Sequence, residues 1–269
     1  MLSVMQARSS AVRPWWLIGL LCASVRLCLA SPVAPAYVEI PAGSMASVLS
    51  SGSTDNPPTV VEAFALRRRP VTVAEFMRFT ARNPQWSAAN VPAVFADKNY
   101  LHFIDARGGA APNPEQAVTN VSWFAAQAYC ESEQARLPSW YEWEYVAAAD
   151  ATRADARKDP LWRARILGWY SAPSGTRRLT VGGAPNYYGV ENMHGLIWEW
   201  VDDFNALLVS ADSRNQGDPD QLQYCGAGAI SLQDRENFAV LMRVALLSSL
   251  NGADSTNDLG FRCARSLRN

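Results

Sequence analysis

Residues 191–204 read E-N-M-H-G-L-I-W-E-W-V-D-D-F. An amide, a glycine, two tryptophans and several carboxylates are concentrated in one short stretch. Asn192 and Glu199 offer side-chain oxygens, and Gly195 between them permits a tight turn whose carbonyls can face inward. Hard cations such as calcium are held by this mixture of carboxylate, amide and main-chain oxygen. Trp198 and Trp200 alternate with Ile197, Glu199 and Val201, a pattern that predicts a strand with one buried face. The spacing is none of the fixed calcium-loop motifs. A turn feeding a core strand, with its carboxylates in solvent, therefore stands beside the cation reading.

Upstream, Tyr37-Val38-Glu39-Ile40-Pro41-Ala42-Gly43 predicts an opening strand ending in a turn, and Val60–Phe64 a second strand. Arg67-Arg68-Arg69 reads as a solvated surface turn. Thr72 and Glu75 form a T-x-x-E capping box ahead of a helix that carries Phe76, Phe79 and Thr80 on one face and stops before Pro84. From Gln85 to Thr119 the chain is irregular, and a loop region of that length inside a compact domain points to function. Ser122 is the expected N-cap of a helix containing Cys130. A second capping box, Ser139 to Glu142, opens a helix running to Ala149, whose aromatics (Trp140, Tyr141, Trp143, Tyr145) read as core. Leu161–Tyr170 is helical or turn. The small residues Cys225-Gly226-Ala227-Gly228-Ala229 form no phosphate loop, since no Lys followed by Ser or Thr has the required spacing. Leu259–Arg265 is expected to be a closing strand.

Residues 1–30 contain no acid, carry Arg8 and Arg13, and then run apolar from Trp15 to Ala30, broken by Arg26. This predicts a secretory signal peptide, cleaved after Ala30 or at the later candidate Ala34-Pro35-Ala36, and too short and interrupted to span a membrane. The protein is thus expected to be periplasmic or secreted, with no membrane span after cleavage. Formal net charge is −1, and loss of three arginines leaves the remainder more acidic, which argues against nucleic acid as a partner. About 240 residues remain, enough for one large domain. Cys130, Cys225 and Cys263 survive processing, and an odd number in an oxidising compartment suggests one bridge and one leftover thiol. There is no C-x-x-C, and the two histidines, His102 and His194, lie in no zinc or nucleophile motif.

The stretch from Glu191 resembles the signature of the formylglycine-generating-enzyme (sulfatase-modifying factor) superfamily, usually D-M-x-G-N-V-W-E-W. Three further blocks agree in order: P-V-T-V-A-E-F from Pro70, R-L-P-S-W-Y-E-W-E-Y from Arg136 and L-G-F-R-C-A from Leu259. The resemblance implies an α+β, loop-rich domain related to C-type lectins over residues 37–269. It implies a Cys130–Cys263 disulfide, closing a loop of about 130 residues, and a structural calcium on Asn192, the carbonyls of Gly195 and Ile197, and Glu199. Family members that oxidise a substrate cysteine to formylglycine hold copper(I) on a C-x-x-x-x-C pair. Reading back from Cys263 without gaps, Arg243 meets the family's R-x-A, and the two copper ligands fall on Asp234 and Ala239. An Asp and an Ala cannot replace two thiolates for a soft ion. The family's Asn before the last block is Asp258. Formylglycine generation is therefore disfavoured.

V-S-W-F-A-A-Q-A-Y-C-E, M-H-G-L-I-W-E-W-V-D-D-F, C-G-A-G-A and M-R-V-A-L-L-S-S-L are similar to the NirV branch, exported proteins associated with copper nitrite reductase in denitrification. The implied role is a periplasmic accessory or maturation factor for that enzyme. An oxidoreductase of the non-haem iron or pyoverdine-maturation type, using copper or iron at another site, is the alternative; Cys225, Asp234 and Asp258, with His102 and His194, would be its candidate residues. A carbohydrate- or peptide-binding module is the third possibility, on fold analogy alone.

Overall fold

The computed structural model describes residues 36–46, 58–102, 113–170, 180–206 and 238–267. Among these residues, seven short strands, five α-helices and one 3-10 turn (Pro84–Trp86) are mixed in an α+β arrangement. β1 (Tyr37–Ile40), β4 (Phe64–Arg67) and β7 (Ala264–Ser266) form an antiparallel sheet in the order β1-β4-β7. β2 (Gly43–Met45) pairs with β3 (Thr59–Val61), also antiparallel. β5 (Trp198–Glu199) and β6 (Leu259–Gly260) make a two-residue parallel pair that joins the signature to the last sequence block.

The helices start where local chemistry starts them. α1 (Val73–Arg82) has Thr72 and Glu75 in a reciprocal capping box and buries Val73, Phe76, Phe79 and Thr80. Ser122 caps α2 (Trp123–Ser132), and Ser139 with Glu142 makes the box that opens α3 (Trp140–Ala147). Such caps satisfy amide groups that the first helical turn leaves without carbonyl partners. α4 spans Pro160–Tyr170 and α5 Phe238–Ser248. Among the described residues no helix is long and apolar enough to cross a membrane.

Three expectations are corrected. The second strand is two, β3 and β4, interrupted at Glu62–Ala63, because the two halves pair with different strands. The closing strand is likewise split: β6 and β7 lie in different sheets, with Phe261–Cys263 between them. Arg67 is no surface turn but a buried member of β4, where its guanidinium meets Glu75, Glu133 and the hydroxyl of Tyr129. A charged run in sequence carries no sign of the acids that a fold will place against it.

One main core holds α1, α2, α3 and the strands together through Phe64, Phe76, Trp140, Trp200, Phe261 and their neighbours. The sulfurs of Cys130 on α2 and Cys263, just before β7, are bonded with Cα atoms 5.5 Å apart. A separate small cluster of Ala156, Trp162 and Ile166 packs α4 against Ala239 of α5.

Candidate functional site

The signature is buried on both faces rather than one. Ile197, Glu199, Trp200 and Val201 are all buried, and Trp198 partly so. The alternation fails because Glu199, at a position expected to be solvent-facing or cation-facing, is sealed in against Arg262 and Trp143. Trp200 donates its indole N–H to the carbonyl of Val121, and Trp123 donates to that of Val201, tying the segment to the start of α2. Asp203 accepts from the amide of Trp140 at the first turn of α3 at 2.7 Å. Burial holds its carboxyl above the usual range, with Asp202 and Glu142 adding repulsion.

At the centre stands Glu199. Its Oε2 accepts from Nε of Arg262 at 2.7 Å and from the indole of Trp143 at 2.8 Å, and its Oε1 accepts from the second guanidinium nitrogen at 2.8 Å. Both side chains are 0% exposed. The remaining Arg262 donors reach the carbonyls of Arg67, Arg68, Glu191 and Asn192 at 3.1–3.3 Å. One guanidinium thus gathers β4, the signature turn and β5. Gly260 makes the arrangement possible: a Cβ there would stand 2.1 Å from the carbonyl oxygen of Val118. Each letter of G-F-R-C has a task, as a close approach, a core ring, a counter-ion and a disulfide.

A second buried pair lies nearby. Arg243 on α5 makes two 2.6 Å bonds to Glu144 on α3 and donates to the hydroxyl of Tyr170 on α4. The Trp143 ring faces the same guanidinium at 4.9 Å. Burial works against the charge of Arg243, but Glu144 and Tyr170 outweigh it and hold the group protonated. Neither pair is signalled by a motif. The signal available was an arginine in an apolar run, M-R-V-A, and an acid among aromatics, W-E-Y.

His194 fills the space beside this second pair. The rings of Trp143, Trp162 and Trp169 meet it edge-on, with centroids 6.0, 5.6 and 6.2 Å away. Gly195 follows at φ +98°, and a Cβ there would lie 2.2 Å from the Trp169 ring. The glycine serves the packing of Trp169 as well as the turn. Burial, then the field of Arg243, pushes the imidazole down to about 3 from 6.5. The unfolded chain therefore takes up a proton near pH 6.5 that the folded protein refuses until about pH 3. The stability tied to His194 is complete above pH 6.5 and is lost as pH falls towards 3. We expect about 3 kcal/mol to go between pH 6.5 and 4. Urea midpoints across that range would show the slope, and His194→Phe should flatten it; equal slopes would refute the assignment.

The calcium set can be tested by its donor chemistry. Asn192, at φ +58°, accepts from the amide of Gly182 through Oδ1 at 2.8 Å and donates back to its carbonyl at 3.2 Å. A carboxylate has about four acceptor positions, and an amide oxygen or main-chain carbonyl two. Glu199 spends three and the Asn192 side-chain oxygen one, so each retains one acceptor position. The residues fit calcium as an oxygen set, but the sole carboxylate is shared with Arg262. Affinity follows the count of ligand charges, which places such a site at the weak end.

The other sequence candidates scatter. Asp258 accepts from Thr256 through its side chain and from the Trp198 amide through its carbonyl. His102 is exposed at a turn. Ala239 packs in the Trp162 cluster. Cys225 and Asp234 lie outside the described residues. Among those residues no three His, Cys, Asp or Glu side chains gather as a metal site.

Comparison with known proteins adds the following. A profile of the sulfatase-modifying factor enzyme 1-like domain matches residues 28–267. The formylglycine-generating enzyme of Streptomyces coelicolor is 32% identical over 178 residues, 59% of this chain and 55% of that protein. Inactive C-alpha-formylglycine-generating enzyme 2 of Mus musculus is 30% identical over 167 residues, 56% of this chain and 50% of that one. Hercynine oxygenase of Mycolicibacterium smegmatis is 29% identical over 164 residues, 52% and 37% of the two chains. The chain thus spans about half the length, or less, of these relatives. The structure of PvdO from Pseudomonas aeruginosa aligns over 86% of this chain and 94% of that chain, at 17% identity and a TM-score of 0.47.

Proposed function

The chain belongs to the family of sulfatase-modifying factor enzyme 1-like domains, and from that premise we propose that it is an exported accessory or maturation factor rather than a formylglycine generator. The observation that carries this reading is Ala239. In the family register it takes the place of a copper-ligating cysteine, and here its methyl group is packed with Ala156, Trp162 and Ile166. A methyl group in an apolar cluster offers copper(I) nothing, and the other position of the pair is Asp234. That one relative is called an inactive formylglycine-generating enzyme supports the idea that this scaffold is used without that chemistry. The partner we propose is a periplasmic copper nitrite reductase, on the resemblance of the signature and M-R-V-A blocks to the NirV branch.

The test has two arms. The purified protein, loaded with copper(I) and given a cysteine peptide of the sulfatase type, should yield no formylglycine. Tagged protein should retain copper nitrite reductase from a periplasmic extract, and a strain lacking it should make nitrite reductase of reduced activity. Turnover of the peptide would overturn the first claim; an unaffected reductase that is not retained would overturn the second. Calcium at Asn192, Gly195, Ile197 and Glu199 is part of the same reading. We expect a dissociation constant on the order of 10⁻⁴–10⁻³ M. At a concentration equal to that constant the ion adds about 0.4 kcal/mol, and calorimetric titration would measure it. Nanomolar binding would refute the shared-carboxylate argument.

A further inference from the structure

We propose that the cavity bounded by α3, α4 and α5 is a binding site for one small neutral hydrogen-bond donor, in the resting protein a water molecule held by Nδ1 of His194. The imidazole lies with Nε2 2.7 Å from the carbonyl oxygen of Ala147. A carbonyl can only accept, so Nε2 carries the hydrogen and Nδ1 is left as a lone pair. That nitrogen is buried and has no partner among the described residues. A buried acceptor left unpaired is destabilising, and native proteins commonly answer such groups with ordered water. The ring cannot turn to escape the problem, because three tryptophans hold it edge-on.

Space and charge then select the occupant. The cavity measures about 20 Å³ and is walled by Glu144, Trp162, Ile166, Leu167, His194 and Arg243 among others. One water needs roughly 10–15 Å³ by this measure, so there is room for a single water or a group of similar size. An imidazole whose far nitrogen is fixed on a carbonyl is also the arrangement found in metal-binding histidines. Here the surroundings oppose a cation: the guanidinium of Arg243 stands in the cavity wall, and Glu144 beside it has both oxygens bonded to that guanidinium, so neither is free to join Nδ1 as a ligand. An anion would face the Nδ1 lone pair. A neutral donor conflicts with neither feature.

Crystals of the protein, recorded as grown, after a zinc chloride soak and under xenon pressure, test the assignment. We expect one oxygen peak about 2.7–3.2 Å from Nδ1, retained in zinc and not replaced by xenon. Zinc on Nδ1 would overturn it in favour of a metal site. Xenon in a dry cavity, or a protein group bonded to Nδ1, would overturn it as well. In solution the carbon-bound protons of His194 should show cross-relaxation with a long-lived water. A wild-type protein without that signal would reject the site independently of any crystal.

Discussion

Arg262→Met is expected to lower stability by about 3–5 kcal/mol, the cost of leaving a buried charge without its partner. For a domain of this size that corresponds to a fall in Tm on the order of 10 °C. The reasoning rests on Glu199. With Arg262 gone, its carboxylate keeps only the indole N–H of Trp143, and four carbonyls each lose a donor, although that of Arg68 still accepts from the Glu191 amide. Glu199→Leu should be similarly damaging, because it strands the guanidinium. The double variant should recover a substantial part of the loss, since an apolar pair of similar volume needs no desolvation. Scanning calorimetry of the four proteins gives the coupling directly. A single variant within a degree or two of the parent would show that solvent or an ion takes over the role assigned to the pair.

Removing the Cys130–Cys263 bridge is the second large effect. The two residues are 133 apart in sequence, and the chain-entropy model puts the closure of such a loop at about 5 kcal/mol. Both cysteines are fully buried in the main core, so Cys130→Ala with Cys263→Ala retains most of the packing and isolates the cross-link. We expect a loss of about 2–5 kcal/mol in denaturant titrations, with the variant still folded at 25 °C. An unchanged midpoint would mean that the network of Arg67, Glu75, Glu133 and Tyr129 around the bridge already confines α2 and β7.

How far the sequence could be read depended on the range of the interaction concerned. The capping boxes at Thr72 and Ser139 and the N-cap at Ser122 are contacts across three residues, and the helices they open were predicted from those residues. The disulfide was legible only through family resemblance, because spacing does not choose among three cysteines. The strands fared worse. Val60–Phe64 became parts of two strands and Leu259–Arg265 another two, since where a strand begins is decided by the partner it finds.

The candidate site divides along the same line. The signature and its place in the chain were legible, including Gly195, Trp198, Glu199 and Trp200. Its chemistry was not: the spacing offered Glu199 to a cation, and the fold gives it Arg262, 63 residues away. Likewise M-R-V-A was recognised while its acid, Glu144, lies 99 residues off. The sequence alone therefore determined the family, the starts of α1, α2 and α3 and the absence of any C-x-x-x-x-C pair, because these depend on residue identity and near neighbours, whereas α5 went unread in its apolar run. Only the tertiary structure decided which charges are buried together and which histidine nitrogen is left open, because a charge is placed inside a protein by partners drawn from distant segments.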